Sequence, residues 1–284
     1  MNDDQVLFVP SSGPPVTTGG LSRALRRVGA DRCDVLFVHS GLRFGRPNLA
    51  LGRNGLLCAV WMAIAELEVR TVCMPTFTFS FPNGSDYDRE RTSTPMGSLN
   101  EWFRRLPDVV RSIDPIMSVA ARGRDTHLVE SVGKHSCGPE STYDQLHRRG
   151  GGVVFLFLGV PCHECFTYSH FVESSVGVPF RYHRPFSGRI TADGRTWEDT
   201  YLHYARYNGV LPVSDDRLER DLRRSGHLHE TSIGDGIVSA IDEVAAFEML
   251  SEQLTRDPFY LAARVYEPAE LLDTRFAERS IVAL

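Results

Sequence analysis

Four short apolar runs stand out in the first 160 residues: Val35–Val38, Arg70–Met74, Met117–Ala121 and Val153–Leu158. They are rich in β-branched and large aliphatic residues and show little polar alternation, the pattern of strands buried on both faces of a parallel sheet. Between the first two lies Gly55–Leu67, apolar nearly all round, which predicts a helix packed against that sheet. Further helices are predicted over Leu21–Val28, Leu99–Leu106 and Thr142–Arg148. Strands that alternate with helices in this way specify an α/β fold with a mainly parallel core.

The texture changes after residue 176. From Pro179 to Trp197 polar and apolar positions alternate on either side of Asp193-Gly194, which predicts an antiparallel hairpin with a two-residue turn. Farther on, Ile237, Ile241, Val244, Ala245, Phe247 and Leu250 recur near helical spacing, so Asp235–Leu254 is read as one helix. Residues 1–19, with Pro14-Pro15, read as a loosely held arm ahead of a single domain over residues 20–284. No repeat or low-complexity segment interrupts the chain.

Composition narrows the function. The 284 residues are 42% hydrophobic and 24% charged with a formal charge of −5, an ordinary globular balance. Lys134 is the only lysine and His135 follows it, so no P-loop lysine stands behind a glycine-rich turn. Schiff-base chemistry at lysine has that one candidate. The absence of a clustered basic run argues against nucleic-acid partners. Six cysteines spread over a long chain, with no signal-peptide pattern, point to a reducing cytoplasm. The longest apolar run, Gly151–Val160, is too short to span a bilayer, so no membrane partner is expected.

Polar residues crowd the segment Gly159–Glu173, at the carboxyl end of a predicted buried strand, where open α/β sheets place their ligands. Thr167, His170 and Glu173 are spaced three apart, along one face of a predicted short helix. A carboxylate beside an imidazole fixes its tautomer and raises its basicity, as a general base requires; a structural His–Glu pair has the same spacing. Cys162 and Cys165 flank His163 as a Cys-x-x-Cys, compatible with a thiol pair, part of a zinc site or plain packing. No second such pair exists to complete a metal site, and no metal is expected.

A second corner follows Val35–Val38. There Ser40, Gly41 and Leu42 are candidates to offer backbone N–H groups to a phosphate or acyl oxygen, or form a simple turn. Asp86 and Asp88 lie in a loop suited to a cationic or hydroxylated substrate, although most such loops are merely solvated. Gly234-Asp-Gly236 is expected to open a helix and is a poor dinucleotide fingerprint.

Taken in order, Val38–Arg43 (VHSGLR), Met74–Thr78 (MPTFT), Asp88 leading into Ser93–Gly97 (STPMG), Arg111–Ser118 (RSIDPIMS), Cys137–Thr142 (CGPEST), Leu158–Val160 and Thr167–Glu173 (TYSHFVE) resemble the aminoglycoside 3-N-acetyltransferase family. The resemblance spans residues 20–260. It implies a mixed α/β acyltransferase fold distinct from the GNAT enzymes, acetyl-CoA or another acyl-CoA as co-substrate, and a small-molecule amine as acceptor. It implies His170 as catalytic base, Glu173 as its supporting carboxylate and Thr167 beside the reacting carbonyl. It also implies coenzyme contacts from His39, Ser40, Gly41, Leu42 and Arg43 and from Thr76, Phe77 and Thr78, with Arg111 and Ser112 lining the cleft. Asp86, Asp88 and Phe166 are the candidate acceptor contacts, in a monomer or homodimer.

Two departures concern the substrate. Gly41 replaces a second small hydroxyl residue, and Phe166 replaces an Asn usual in the family. A polycationic aminoglycoside calls for a strongly acidic site, to which Asp86, Asp88, Glu173, Asp215 and Asp216 are the candidates. The expected reaction is direct acyl transfer to an amine in a ternary complex. The alternatives are a biosynthetic acyltransferase for a non-antibiotic amine or hydroxyl, a silent coenzyme A-binding homologue, and a zinc hydrolase built on Cys162, His163, Cys165 and His170.

Overall fold

The computed structural model describes residues 5–271. Its centre is a seven-stranded mixed sheet in the order His229–Ile233, Gly236–Asp242, Val153–Leu158, Val35–Ser40, Thr71–Pro75, Val119–Gly123 and Val110–Arg111. The three middle strands are parallel: Val35–Ser40 pairs with Val153–Leu158 on one side and Thr71–Pro75 on the other. All outer pairings are antiparallel. The run expected over Met117–Ala121 forms its strand two residues later and runs antiparallel to Thr71–Pro75, so it is not a fourth parallel strand.

Both faces of the central strands are buried, and successive side chains go to opposite faces. Phe37, Phe155 and Phe157 point to one side, toward a core with Tyr143, Tyr168 and Phe171. Leu36, Val38, Leu156 and Leu158 point to the other, against Leu21 and Leu25 of the Thr18–Arg27 helix and Leu57, Val60 and Ile64 of the Gly52–Ala65 helix. This double burial is why the strands read as continuous apolar runs.

The predicted hairpin is present as Arg181–Ala192 and Arg195–Arg206, in register from Ala192↔Arg195 to Arg181↔Arg206. Asp193 and Gly194 both have positive φ, 51° and 71°, as the two-residue turn requires. Its far end, where Arg181 and Arg206 stand directly opposite each other, is the end that reaches the candidate site.

Two expectations change. Asp235–Leu254 is not one helix: Gly236–Asp242 is a strand, and the helix begins at Glu243, capped by Asp242, whose carboxylate accepts from Val244 N and Ala245 N. Gly234-Asp235 is accordingly a turn between two strands. The i, i+4, i+7 spacing of Ile237, Ile241 and Val244 joined a short strand to the helix after it, an ambiguity that periodicity alone does not resolve. Nor are residues 5–19 loose. Val6–Val9 is a strand with Leu7 and Phe8 buried, and Thr18 and Gly19 already belong to the first helix.

Candidate active site

The Val35–Ser40 and Val153–Leu158 strands end side by side, and their corners pack backbone to backbone. A Cβ on Gly41 would lie 2.8 Å from the Gly159 carbonyl oxygen and 2.9 Å from Val160 Cβ. Gly159 has φ 68°, and a Cβ there would lie 2.6 Å from Arg43 N. The amides of Gly41 and Leu42 donate to the Leu158 carbonyl at 2.9 and 3.1 Å, and Arg43 N donates to Gly159 O at 3.2 Å. These amides close the corner itself, so they are not the free donors expected for a phosphate or oxyanion. His39 and Ser40 contribute side chains to a cavity instead. His39 is stacked on Phe157, with centroids 5.2 Å apart, and burial pulls its pKa down to about 3, keeping it neutral.

After Gly159 the chain makes a one-turn helix, Cys162–Cys165, then a link through Phe166 and Thr167, then the helix Ser169–Val176. Thr167 thus precedes the helix that carries His170 and Glu173 and does not share it. Its hydroxyl is hydrogen-bonded to the Tyr143 hydroxyl. His170 and Glu173, one turn apart, do meet as the spacing predicted: Nδ1 lies 2.9 Å from Glu173 Oε2. Arg181, from the hairpin, completes the group, with Nε 2.8 Å from the same carboxylate oxygen and Nη2 3.0 Å from His170 Nδ1. A further Arg181 nitrogen donates to Tyr204 O at 3.0 Å.

The ring nitrogen Nδ1 can serve only one of these neighbours through a hydrogen. Protonated, it donates to Glu173 and leaves Nε2 with its lone pair free; unprotonated, it accepts from Arg181. Burial, and then the Arg181 cation, hold the His170 pKa below the ordinary imidazole value despite Glu173. Glu173 is buried too, yet Arg181 and His170 hold its carboxyl below the usual range. The pair is therefore a neutral imidazole beside a carboxylate at neutral pH.

Two cavities meet here. A wide one of about 600 Å³ is walled by Phe166, Thr167, His170, Glu173, Arg181 and Arg206, among others. A narrower one of about 280 Å³ is lined by His39, Ser40, Phe77, Phe79, Pro95, Met96 and Val160, and it shares Glu164, Cys165 and Thr167 with the first. Past Phe79 and Pro95 it opens onto a surface hollow that includes Thr78, Asp86 and Arg91.

Several sequence candidates lie elsewhere. Thr76, Arg111 and Ser112 line none of these three cavities and are buried in a lock between loop and sheet. Arg111 donates to the carbonyls of Thr76 and Thr92, both at 2.6 Å; Thr76 Oγ1 donates to Ser118 O at 3.1 Å, and Ser112 Oγ accepts from Val119 N at 2.9 Å. The expectation that Arg111 and Ser112 line the cleft is thereby corrected: a buried guanidinium satisfied by carbonyls braces the fold. Asp86 is on the outer hollow, paired with Arg189 at 2.9 Å, and Asp88 accepts from Glu90 N and Arg91 N within its own turn. Neither lines the cavity that holds His170. Gly41 and Leu42 shape the corner, while Arg43 pairs with Glu164 at 2.7 Å.

The thiols are not activated. Burial pushes Cys162 strongly up and Cys165 up to about 12, with carboxylates adding to it. His163 is engaged by Glu219 at 2.7 Å. Among the described residues no three His, Cys, Asp or Glu side chains are grouped to hold a metal ion, and no helix is long and apolar enough to cross a membrane. Sequence reasoning missed Arg181, Arg206 and Tyr143. The hairpin is read only from Pro179 to Trp197, so Arg181 lies on a predicted arm while Arg206 lies beyond it; the observed register places the two opposite each other.

Comparison with known proteins identifies the family. The profile of the family described as aminoglycoside 3-N-acetyltransferase matches residues 47–255. Aminoglycoside N(3)-acetyltransferase IV from a Salmonella species is 27% identical over 238 residues, covering 82% of this chain and 85% of its own. Aminoglycoside N(3)-acetyltransferase VIII of Streptomyces fradiae is 26% identical over 261 residues, covering 79% of this chain and 88% of its own. Among solved structures, the binary complex of AAC-IIIb with CoASH has the same fold, with a TM-score of 0.71 at 18% identity, over 84% of this chain and 96% of that one. The chain belongs to the aminoglycoside 3-N-acetyltransferase family and is an acyltransferase.

Proposed function

We propose that the protein is a coenzyme A-dependent N-acyltransferase that moves an acetyl or similar group to an amine of an aminoglycoside or amino-sugar-like small molecule, with His170 as general base. The observation that carries this reading is the meeting of two cavities at Thr167, with the His170–Glu173 pair in the wall of the wider one. The narrow, largely apolar cavity suits a pantetheine arm and its outer end leaves the nucleotide at the surface near Arg91; the wide one, with Glu173, Arg181, Arg206 and Asp215 in its wall, suits the acceptor. The solved relative that carries coenzyme A supports the same donor.

In the proposed step the acceptor nitrogen attacks the thioester carbonyl while His170 Nε2 takes its proton. Glu173, on the opposite ring nitrogen, stabilises the imidazolium that forms. The tetrahedral intermediate collapses with cleavage of the C–S bond, and the departing thiolate recovers the proton from His170. Because the corner amides are engaged, the donor to the developing oxyanion is assigned to the Thr167 hydroxyl, which Tyr143 holds in place. Holding both substrates in adjoining cavities removes much of the entropic barrier. No acyl-enzyme is involved.

The test is thiol release from acetyl-CoA against aminoglycosides, amino sugars and simple amines, with initial rates measured while both substrates vary. Intersecting patterns and no acetylated protein by intact mass spectrometry are expected. Parallel patterns with a trapped acetyl-protein contradict direct transfer, and no release with any amine contradicts the reading.

A further inference from the structure

The three carboxylates and two guanidiniums in the wall of the acceptor cavity differ in how far each is already committed. Every carboxylate in its wall is already matched: Glu164 by Arg43 at 2.7 Å, Glu173 by Arg181 at 2.8 Å, and Asp215 by Arg217 through two contacts of 2.9 Å. His163 is likewise matched by Glu219. Arg206 is the exception. It lines the same cavity, half-buried, and has no carboxylate within ion-pair distance among the described residues. It stands directly opposite Arg181 in the hairpin, and Arg181 is the partner that consumes the nearby Glu173 charge. The narrow cavity assigned to the thioester arm does not include it.

A half-buried guanidinium that feels Glu173 only at a distance, with no direct ion pair, is a ready binding group for a planar or tetrahedral oxyanion. A substrate with several ammonium groups, by contrast, has to compete with an arginine for each carboxylate here. Building on the acyl-transfer reading above, we infer that the acceptor of this cavity carries an anionic oxygen group, a phosphate or a carboxylate, beside its amine, and that Arg206 holds that group. The specificity is then for an amine with a neighbouring anion over a polycationic aminoglycoside.

The test is calorimetric binding to the acetyl-CoA-saturated protein at fixed ionic strength. The probes are glucosamine, glucosamine 6-phosphate, 2-amino-2-deoxyglucuronate and gentamicin, and the proteins are the wild type, Arg206→Gln and Arg206→Lys. At least one anionic amine is expected to bind about tenfold or more tightly than glucosamine and gentamicin. That preference is expected to vanish in R206Q and persist in R206K, and the two anionic probes tell phosphate from carboxylate. The inference is overturned by the absence of any anion preference, by tightest binding of gentamicin, or by a preference that survives in R206Q. It is also overturned if R206Q weakens only acetyl-CoA, which would assign the guanidinium to the donor. Thiol release is read separately, so a failure of acyl transfer and a failure of anion recognition remain distinct results.

Discussion

Arg181 grips Glu173 through Nε at 2.8 Å, on the same carboxylate oxygen that faces His170 Nδ1 at 2.9 Å. The guanidinium and the imidazole therefore share one oxygen. Arg181 acts through this pair as a positioning residue: it keeps the buried Glu173 ionised and, as a nearby cation, disfavours a charged His170.

This relationship sets the pH profile. A general base works only while neutral, so a depressed His170 pKa predicts full kcat/KM down to a pH below the ordinary histidine value. Arg181→Gln removes the cation and leaves Glu173 unopposed, both of which raise the His170 pKa. The acid limb of the kcat/KM profile should move to higher pH, and Arg181→Lys should move it less. A limb that stays in place in R181Q, with thermal stability near wild type, contradicts the assignment.

Cys162 and Cys165 are expected to be dispensable for chemistry. Both thiols are held protonated by burial, so neither is a ready nucleophile. Cys162→Ser puts a hydroxyl into a fully buried site and should cost about 1–3 kcal/mol of stability, read by urea unfolding, while kcat stays near wild type. Loss of turnover in a folded variant would point to a covalent route.

Acid should destabilise the fold well before the carboxylates titrate. His39 and His203 are buried and neutral, with pKa values pulled down to about 3 by burial, against about 6.5 in the unfolded chain. A depressed pKa contributes stability that is complete above the unfolded value and declines as pH falls toward the folded one. Each residue should therefore remove up to about 1.4 kcal/mol per pH unit between roughly pH 6.5 and 3. Urea midpoints from pH 7.5 to 5 should show this slope, and a midpoint that is flat with pH would contradict it.

Gly41 should resist substitution. Gly41→Ser drives a Cβ against Gly159 O and Val160 Cβ, at 2.8 and 2.9 Å, and overpacking of this kind costs about 1–3 kcal/mol. A thermal midpoint equal to wild type would show that the two corners have room to separate.

The parts of this molecule written in local pattern were readable. Val35–Ser40 and Val153–Leu158 are apolar because both faces of the sheet are covered, and Asp193-Gly194 carries the positive φ its turn demands. The one-turn spacing of His170 and Glu173 was equally local. What could not be read depends on distant chain segments. Nothing near Arg206 announces the site, because a twelve-residue strand register delivers it beside Arg181. The family resemblance alone places Arg111 in the cleft, yet its partners are the carbonyls of Thr76 and Thr92, which only folding brings together. The strand Gly236–Asp242 was hidden because its apolar spacing runs on into that of the following helix.

The most direct test of the account is thiol release from acetyl-CoA by wild type and His170→Ala, at saturating acceptor, with acetyl-CoA affinity measured in parallel. Removing a positioned base should lower kcat about 10²- to 10⁴-fold and leave acetyl-CoA binding unchanged. A His170→Ala enzyme that turns over within a few-fold of wild type would contradict the assignment of His170 as the general base.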